Sequence, residues 1–185
     1  MCLCHHCHKV ANKTEILVLQ HTRERDHPFG TVRIAMLTLQ RIQRQVIWGA
    51  IDPPPMLSPR AALLYPSEGA RDLSELPEAE RPDQLIVIDG TWSHANVIYR
   101  ENPWLRELPA LALRPKQASR YRIRVEPELH CVSTIESLVQ ALALLEPDTP
   151  NLDHPLFVFE QMIDQQLQLI ETGKAERFQQ LLPLT

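Results

Sequence analysis

The feature that most constrains the fold is a run of four apolar residues, Leu85-Ile86-Val87-Ile88, which ends on the acidic residue Asp89. A strand with one face in water alternates apolar and polar side chains, whereas this run is apolar at every position. It therefore predicts a strand buried on both faces, as in the centre of a parallel sheet. Such a strand needs helices above and below it, so an α/β domain is the expected fold.

The rest of the chain alternates strand and helix patterns, which indicates a mainly parallel sheet flanked by helices. Ligands of such sheets bind at the carboxyl ends of the strands, and residues 89–91 fall at such an end. The long connection 66–83 is expected to be a solvated loop with at most a short helix. The predicted strands cover 15–21, 46–48, 61–65, 85–88 and 111–113, and the predicted helices cover 31–44, 93–100, 133–145 and 154–173.

The 185 residues are enough for one domain with a real core, which we expect to span 15–185 after a short Cys/His-rich segment at 1–14. No run of about 18 apolar residues appears, so no membrane span is expected. The chain starts without the basic and apolar regions of a secretory signal, which points to the cytoplasm.

The formal net charge of −4 hides an uneven distribution of charge along the chain. Residues 1–50 carry seven Lys or Arg against three Asp or Glu, and residues 106–125 carry six against one. If these stretches meet in space, they form a positive face on an acidic body, as expected of a selective RNA binder. The alternative is that both are ordinary solvated surfaces.

The segment Asp89-Gly90-Thr91-Trp92 places a carboxylate, a flexible residue, a hydroxyl and a large aromatic at one strand end. Two interpretations are open: these residues form a ligand site, or Asp89 caps the next helix while Trp92 fills the core. The other two tryptophans, Trp48 and Trp104, are expected to be core or loop-anchoring aromatics.

This segment, with Ala95 three residues after the tryptophan, resembles the signature of the DTW-domain family, the tRNA-uridine aminocarboxypropyltransferases. Four further segments resemble family elements in the same order along the chain. They are His21-Thr22-Arg23-Glu24, Gly30-Thr31-Val32-Arg33, Tyr121-Arg122-Ile123-Arg124 and Ser133-Thr134-Ile135-Glu136.

The resemblance implies a fold related to the SPOUT methyltransferases, with a C-terminal trefoil knot and a site for S-adenosylmethionine. It implies transfer of the 3-amino-3-carboxypropyl group to N3 of a uridine, leaving methylthioadenosine, with tRNA as the partner. No membrane is expected as a partner, and no obligate protein partner is inferred. A SPOUT-like RNA methyltransferase and a non-catalytic RNA-binding module are the alternatives.

On this interpretation Asp89 is the base for N3 of the uridine, and Thr91 orients the site. Trp92 and the small Ala95 shape the pocket for the methionine moiety. The end of the strand at 111–113 and the start of the helix after 133 accommodate adenine and ribose. The residues predicted to bind the donor are Trp92, Ala95, Leu111, Leu113, Ser133 and Thr134.

The arginines of the basic stretches are predicted to bind tRNA phosphates. Internal pairing of Arg33 or Arg122 with Asp26 or Glu136 is the alternative for two of them. Glu136 itself is more simply explained by a capping box with Ser133. The predicted RNA-binding residues are Arg23, Arg25, Arg33, Arg122 and Arg124.

Cys2, Cys4 and Cys7 form a cluster with the histidines between them, and thiolate and imidazole ligands favour zinc. Structural zinc sites separate their ligand pairs by a loop, whereas these cysteines lie close together. Family members commonly carry a Cys-x-x-Cys pair before such a cluster, and the given sequence begins at what resembles the second element. Zinc binding by Cys2, Cys4 and Cys7 is therefore predicted without a complete family-type set of ligands.

Overall fold

The computed structural model describes residues 3–114 and 132–171, and within them a six-stranded sheet and four α-helices form. None of the described helices is both long enough and apolar enough to cross a membrane. The strands are β1 (Glu15–His21), β2 (Ile42–Ile47), β3 (Ala61–Leu64), β4 (Arg71–Asp72), β5 (Gln84–Asp89) and β6 (Ala110–Ala112), and the helices are α1 (Thr31–Thr38), α2 (Trp92–Glu101), α3 (Thr134–Leu145) and α4 (His154–Glu171).

The strands lie in the order β2-β1-β5-β3-β6-β4, and every strand pair of the described residues is parallel. β5 lies between β1 and β3, as its apolar run predicts. The expected α/β class, with a mainly parallel sheet and flanking helices, is therefore confirmed. The relationship to SPOUT proteins and the C-terminal knot stay predictions.

Side chains of β1 alternate between two cores because successive residues of a strand point to opposite faces of the sheet. Ile16 and Val18 pack with α1, α3 and α4, whereas Leu17 and Leu19 pack on the other face with α2. Burial of each such side chain contributes roughly 1.5–3 kcal/mol. The central strands are thus held from both sides, which gives their carboxyl ends a rigid support.

The first helix is shorter than its apolar spacing predicts. α1 ends at Thr38, and β2 begins before residue 44, the last residue of the predicted helix. Nζ of Lys9 donates hydrogen bonds to the carbonyl groups of Met36 and Leu39, at the carboxyl end of the helix. Residues 42–47 instead pair with residues 16–21 of β1. Strand pairing outweighs the intrinsic preference of this segment for helix.

The connection 66–83 is more ordered than its composition predicts. It contains the two-residue strand β4, which pairs with β6 at the edge of the sheet. Leu73 and Leu76, which follow this strand, are buried in the core. The prediction of a solvated connection is therefore wrong for this part, because two leucines anchor it.

Residues 10–14 join the N-terminal segment to the sheet, and the division of the chain after residue 14 stays a prediction. Val10 is buried in the core and forms a parallel bridge with Leu39. The amide of Asn12 donates to the carbonyls of Thr14 and Arg41, and its Oδ1 accepts from the backbone N–H groups of Gln40 and Arg41.

We expect Asn12→Ala to lower the free energy of unfolding by at least about 2 kcal/mol, because it leaves several buried backbone groups without their partner. Asn12 is only 2% exposed, so water does not replace the lost hydrogen bonds. Denaturant unfolding measures the loss. The exposed Gln43 serves as the control, since Gln43→Ala should change stability by no more than about 0.5 kcal/mol. Equal losses in the two variants would contradict this account of Asn12.

Candidate active site

Asp89 ends β5 at the carboxyl edge of the sheet, and different elements hold its two carboxylate oxygens. Oδ2 accepts a hydrogen bond of 2.9 Å from Nε2 of Gln20 on β1. Oδ1 accepts one of 2.5 Å from Oγ1 of Thr134, the first residue of α3. Hydrogen bonds to a charged carboxylate are among the stronger ones, so they orient this group relative to both the sheet and α3.

Gln20 is a site residue that the sequence analysis missed. It lies directly opposite Asp89 in the register of β1 and β5, and it is buried. Its Oε1 accepts a hydrogen bond of 3.2 Å from Nη1 of Arg44 on β2. Three neighbouring strands thus contribute a guanidinium, an amide and a carboxylate to one chain of hydrogen bonds. The available signal was a single amide at the end of an otherwise apolar strand.

Thr91 is the cap of α2, since its hydroxyl accepts a hydrogen bond of 3.3 Å from the backbone N–H of His94. Trp92 follows as the first residue of the helix and is 51% exposed. The alternative in which Asp89 caps this helix and Trp92 fills the core is therefore wrong. Both residues lie at the carboxyl edge of the sheet, where a ligand site is expected.

Gly90 lies where two histidine side chains approach the backbone. A Cβ atom at this position would stand 3.0 Å from Cβ of His94 and 3.4 Å from Cβ of His21. The two imidazole rings stack with their centroids 3.9 Å apart and an angle of 6° between their planes. The absence of a side chain at Gly90 lets the turn after β5 pass this close to the pair.

The surroundings of His21 favour its neutral form. Burial lowers the pKa of His21, the positive charges of His94 and Arg23 lower it further, and Glu24 opposes them. Nδ1 of His21 accepts a hydrogen bond of 3.3 Å from the backbone N–H of Arg23, so the neutral ring carries its proton on Nε2. Nδ1 of His94 lies 3.6 Å from Oε1 of Glu24, beyond the distance of a good hydrogen bond.

Comparison with protein families matches residues 1–167 to the DTW domain. The chain belongs to the DTW-domain family. It is 34% identical over 145 residues to a Drosophila melanogaster protein named tRNA-uridine aminocarboxypropyltransferase 2, and the match covers 74% of this chain and 58% of that protein. A Macaca fascicularis protein of the same name is 31% identical over 158 residues, which cover 79% of this chain and 53% of the relative.

An Arabidopsis thaliana protein named tRNA-uridine aminocarboxypropyltransferase A is 26% identical over 230 residues, covering all of this chain and 86% of that protein. The chain thus spans somewhat more than half the length of the Drosophila and Macaca relatives. No solved structure is a significant match. The family resemblance that the ordered motifs predict is confirmed.

In this DTW domain the residues predicted to bind the donor lie in different environments. Thr134 donates a hydrogen bond to Asp89, and Trp92, which follows Asp89 closely in the chain, is half exposed. Their predicted role in binding a donor stays a prediction, as it does for the other four residues. Of those four, Ala95 and Leu111 are buried in the two cores, Leu113 is partly buried against one of them, and Ser133 is buried at the cap of α3.

The predicted capping box at the start of α3 is confirmed. Oε2 of Glu136 accepts hydrogen bonds from the backbone N–H of Ser133 at 2.8 Å and from its Oγ at 2.6 Å. This cap fixes where the helix begins. Thr134 therefore lies in the first turn, where its hydroxyl donates a hydrogen bond to the carboxylate of Asp89.

Arginines of the N-terminal half gather around Asp26. Nη2 of Arg25 lies 2.8 Å from Oδ2 of Asp26. Arg25 therefore forms the ion pair with Asp26 that the sequence analysis considered for Arg33. The hydrogen bond from Arg25 lowers the pKa of Asp26, and the positive charges of Arg33 and Arg44 lower it further. Arg33 is exposed. Arg44, which the sequence analysis did not select, thus belongs to the same positive region. It also donates a hydrogen bond to Gln20, which in turn bonds to Asp89.

Three of the predicted functional residues, Cys2, Arg122 and Arg124, lie outside the described residues, so their roles stay predictions. Of the other cysteines, Cys4 is exposed and Cys7 is partly buried. Among residues 3–114 and 132–171, no group of three His, Cys, Asp or Glu side chains is placed to hold a metal ion. Zinc binding by the three cysteines stays a prediction.

We expect His21 to titrate below the ordinary histidine pKa of about 6.5, and His94→Phe to raise its pKa. The substitution removes a positive charge and keeps a ring against His21, but burial, the larger cause, remains. Because the folded protein binds this proton more weakly than the unfolded chain, His21 lowers the free energy of unfolding as the pH falls below about 6.5. NMR titration of the ring protons measures the pKa.

A matched control is His27→Phe, because His27 contacts Phe29 and not the stacked pair. The pKa of His21 should be unchanged in this variant. A His21 pKa at or above the ordinary value in the unsubstituted protein would contradict the electrostatic description of the pair.

Proposed function

We propose that this chain transfers the 3-amino-3-carboxypropyl group of S-adenosylmethionine to N3 of a uridine in tRNA. Membership of the DTW-domain family supports the proposal, as do relatives named tRNA-uridine aminocarboxypropyltransferases. The observation that carries it is the oriented carboxylate of Asp89 at the end of the central strand. In open α/β sheets this edge is where ligands bind.

Asp89 is the base in this proposal. N3 of uridine is a poor nucleophile while protonated, and a positioned base accelerates such a step typically by about 10²- to 10⁴-fold. The N3 proton passes to the carboxylate as N3 bonds to the carbon of the carboxypropyl chain that is attached to sulfur. The carbon–sulfur bond breaks with its electron pair on sulfur, which leaves neutral methylthioadenosine. A carboxylate accepts about four hydrogen bonds, so those from Gln20 and Thr134 are compatible with this role.

The donor lies, in the proposal, beside Asp89 at the starts of α2 and α3. A sulfonium has three electrophilic carbons, and the transferred group is the one whose carbon is held in line with N3. Thr91 orients the turn through its cap of α2. A SPOUT-like fold with a C-terminal knot belongs to the same proposal. The residues assigned to the donor are Trp92, Ala95, Leu111, Leu113, Ser133 and Thr134.

The tRNA backbone is held, in the proposal, by the positive region on the β2 side of Asp89. Arg25 pairs with Asp26, Arg33 and Arg44 add positive charge there, and RNA phosphates that bind such a group release their condensed counterions to the solvent. Arg23 extends this region from the turn that follows β1. Arg122 and Arg124 are assigned to the same role from the motif alone.

The transferred group is tested by incubating the full chain with unmodified tRNA and S-adenosylmethionine labelled either in the methyl carbon or in the carboxypropyl carbons. We expect only the carboxypropyl label to enter tRNA, with methylthioadenosine formed in equal amount. Label from the methyl group alone would identify an RNA methyltransferase instead. Label from neither position would leave an RNA-binding module without catalysis.

The role of Asp89 is tested by Asp89→Asn, which keeps the shape of the side chain and removes its basicity. We expect the variant to remain folded and to bind S-adenosylmethionine in calorimetry, while the single-turnover rate falls by about 10²- to 10⁴-fold. Asp148→Asn, exposed in the turn after α3, is the control and should keep its rate. Normal turnover by Asp89→Asn would remove Asp89 from the role of base.

A further inference from the structure

We propose that Trp48 is a platform on which an unpaired base of the RNA substrate stacks, beside the site at Asp89. This inference rests on the proposed function in one respect, that the substrate is RNA. The sequence predicts a core or loop-anchoring role for Trp48, and the core role is wrong, since the residue is 63% exposed. Trp104, by contrast, packs partly buried against a core and donates from Nε1 to Oδ1 of Asn102.

The indole of Trp48 is supported from the protein side. Its ring centroid lies 5.2 Å from that of His21, and Cζ of Arg23 lies 5.6 Å from the ring centroid. A guanidinium at this distance is attracted by the face of an indole. Two neighbours therefore hold the ring while most of its surface remains in water. An exposed aromatic with a fixed orientation is the arrangement that binds single-stranded nucleic acid by stacking.

Trp48 also lies at the edge of the sheet that carries Asp89. It follows Ile47, the last residue of β2, which pairs with His21 at the end of β1. β1 in turn pairs with β5, and Gln20 lies opposite Asp89. Two strand spacings separate β2 from β5, or about 10 Å. A stacked strand rises by about 3.4 Å per nucleotide, so a few successive nucleotides cover such a distance.

The charge around Trp48 favours RNA over an apolar segment of a protein as the occupant. Arg23 contacts the ring itself, and Arg44, on the strand that precedes Trp48, contributes positive charge at Asp26. Cations beside an exposed aromatic match the phosphates and bases of a single strand. Met56 is another large apolar residue in water, 97% exposed, and it has no ring on which a base could stack.

The test measures binding of the full chain, without S-adenosylmethionine, to a uridine hexanucleotide and to a hexanucleotide of the same length with abasic sites. We expect Trp48→Ala to weaken binding of the uridine RNA by about 5- to 100-fold and to leave the abasic RNA almost unaffected. Trp48→Phe should restore most of the affinity. Because the side chain is exposed, thermal unfolding should be nearly unchanged in both variants.

Met56→Ala is the control for loss of an exposed apolar side chain, and its affinity should equal that of the unsubstituted protein. Three results would overturn the inference: no binding of either RNA by the unsubstituted chain, equal affinity in Trp48→Ala, or an equal loss for the abasic RNA. Failure of the proposed transferase function gives a different pattern. Labelled transfer is then absent while the dependence of binding on Trp48 persists.

Discussion

The hydrogen bonds that join Gln20, Asp89 and Thr134 are the constraint on which the site depends, because they tie two strands and a helix to one carboxylate. A carboxylate at the end of a central strand loses hydration, and it needs donors in exchange. Each donor is placed by a feature other than its hydrogen bond to the carboxylate. The register of β1 and β5 places Gln20, and the capping box at Ser133 places Thr134.

The electrostatics of the carboxyl edge are arranged along the strand order. Arg44 on β2 is followed by Gln20 on β1 and Asp89 on β5, so positive charge lies to one side of the acid and reaches it through a neutral amide. A guanidinium in direct contact would hold the carboxylate in an ion pair. The amide keeps the two charges apart while fixing both side chains, which suits a site that binds a polyanion next to a base under the proposed function.

The two histidines beside Gly90 show that residues distant in sequence form part of the surroundings of a short motif. Asp89-Gly90-Thr91-Trp92 determines a strand end, a close turn and a helix cap. The stack of His21 on His94 arises because β1 and α2 meet beside that turn. Burial there keeps His21 neutral, so the edge next to Asp89 does not gain a second positive group at neutral pH.

From the sequence alone, the α/β class, the central position of β5, the capping box and the DTW-domain family could be predicted, since each follows from local pattern or ordered motifs. The length of α1 and the existence of β4 could not, because β2 and β4 form by pairing with strands distant in the chain. The same limit applies to the site: Asp89 is found from its motif, whereas Gln20 and Arg44 are ordinary polar residues in sequence. Only the parallel pairing of β2, β1 and β5 brings them within hydrogen-bond distance of one another, because these strands are distant in sequence, and Trp48, which directly follows the edge strand β2, remains exposed.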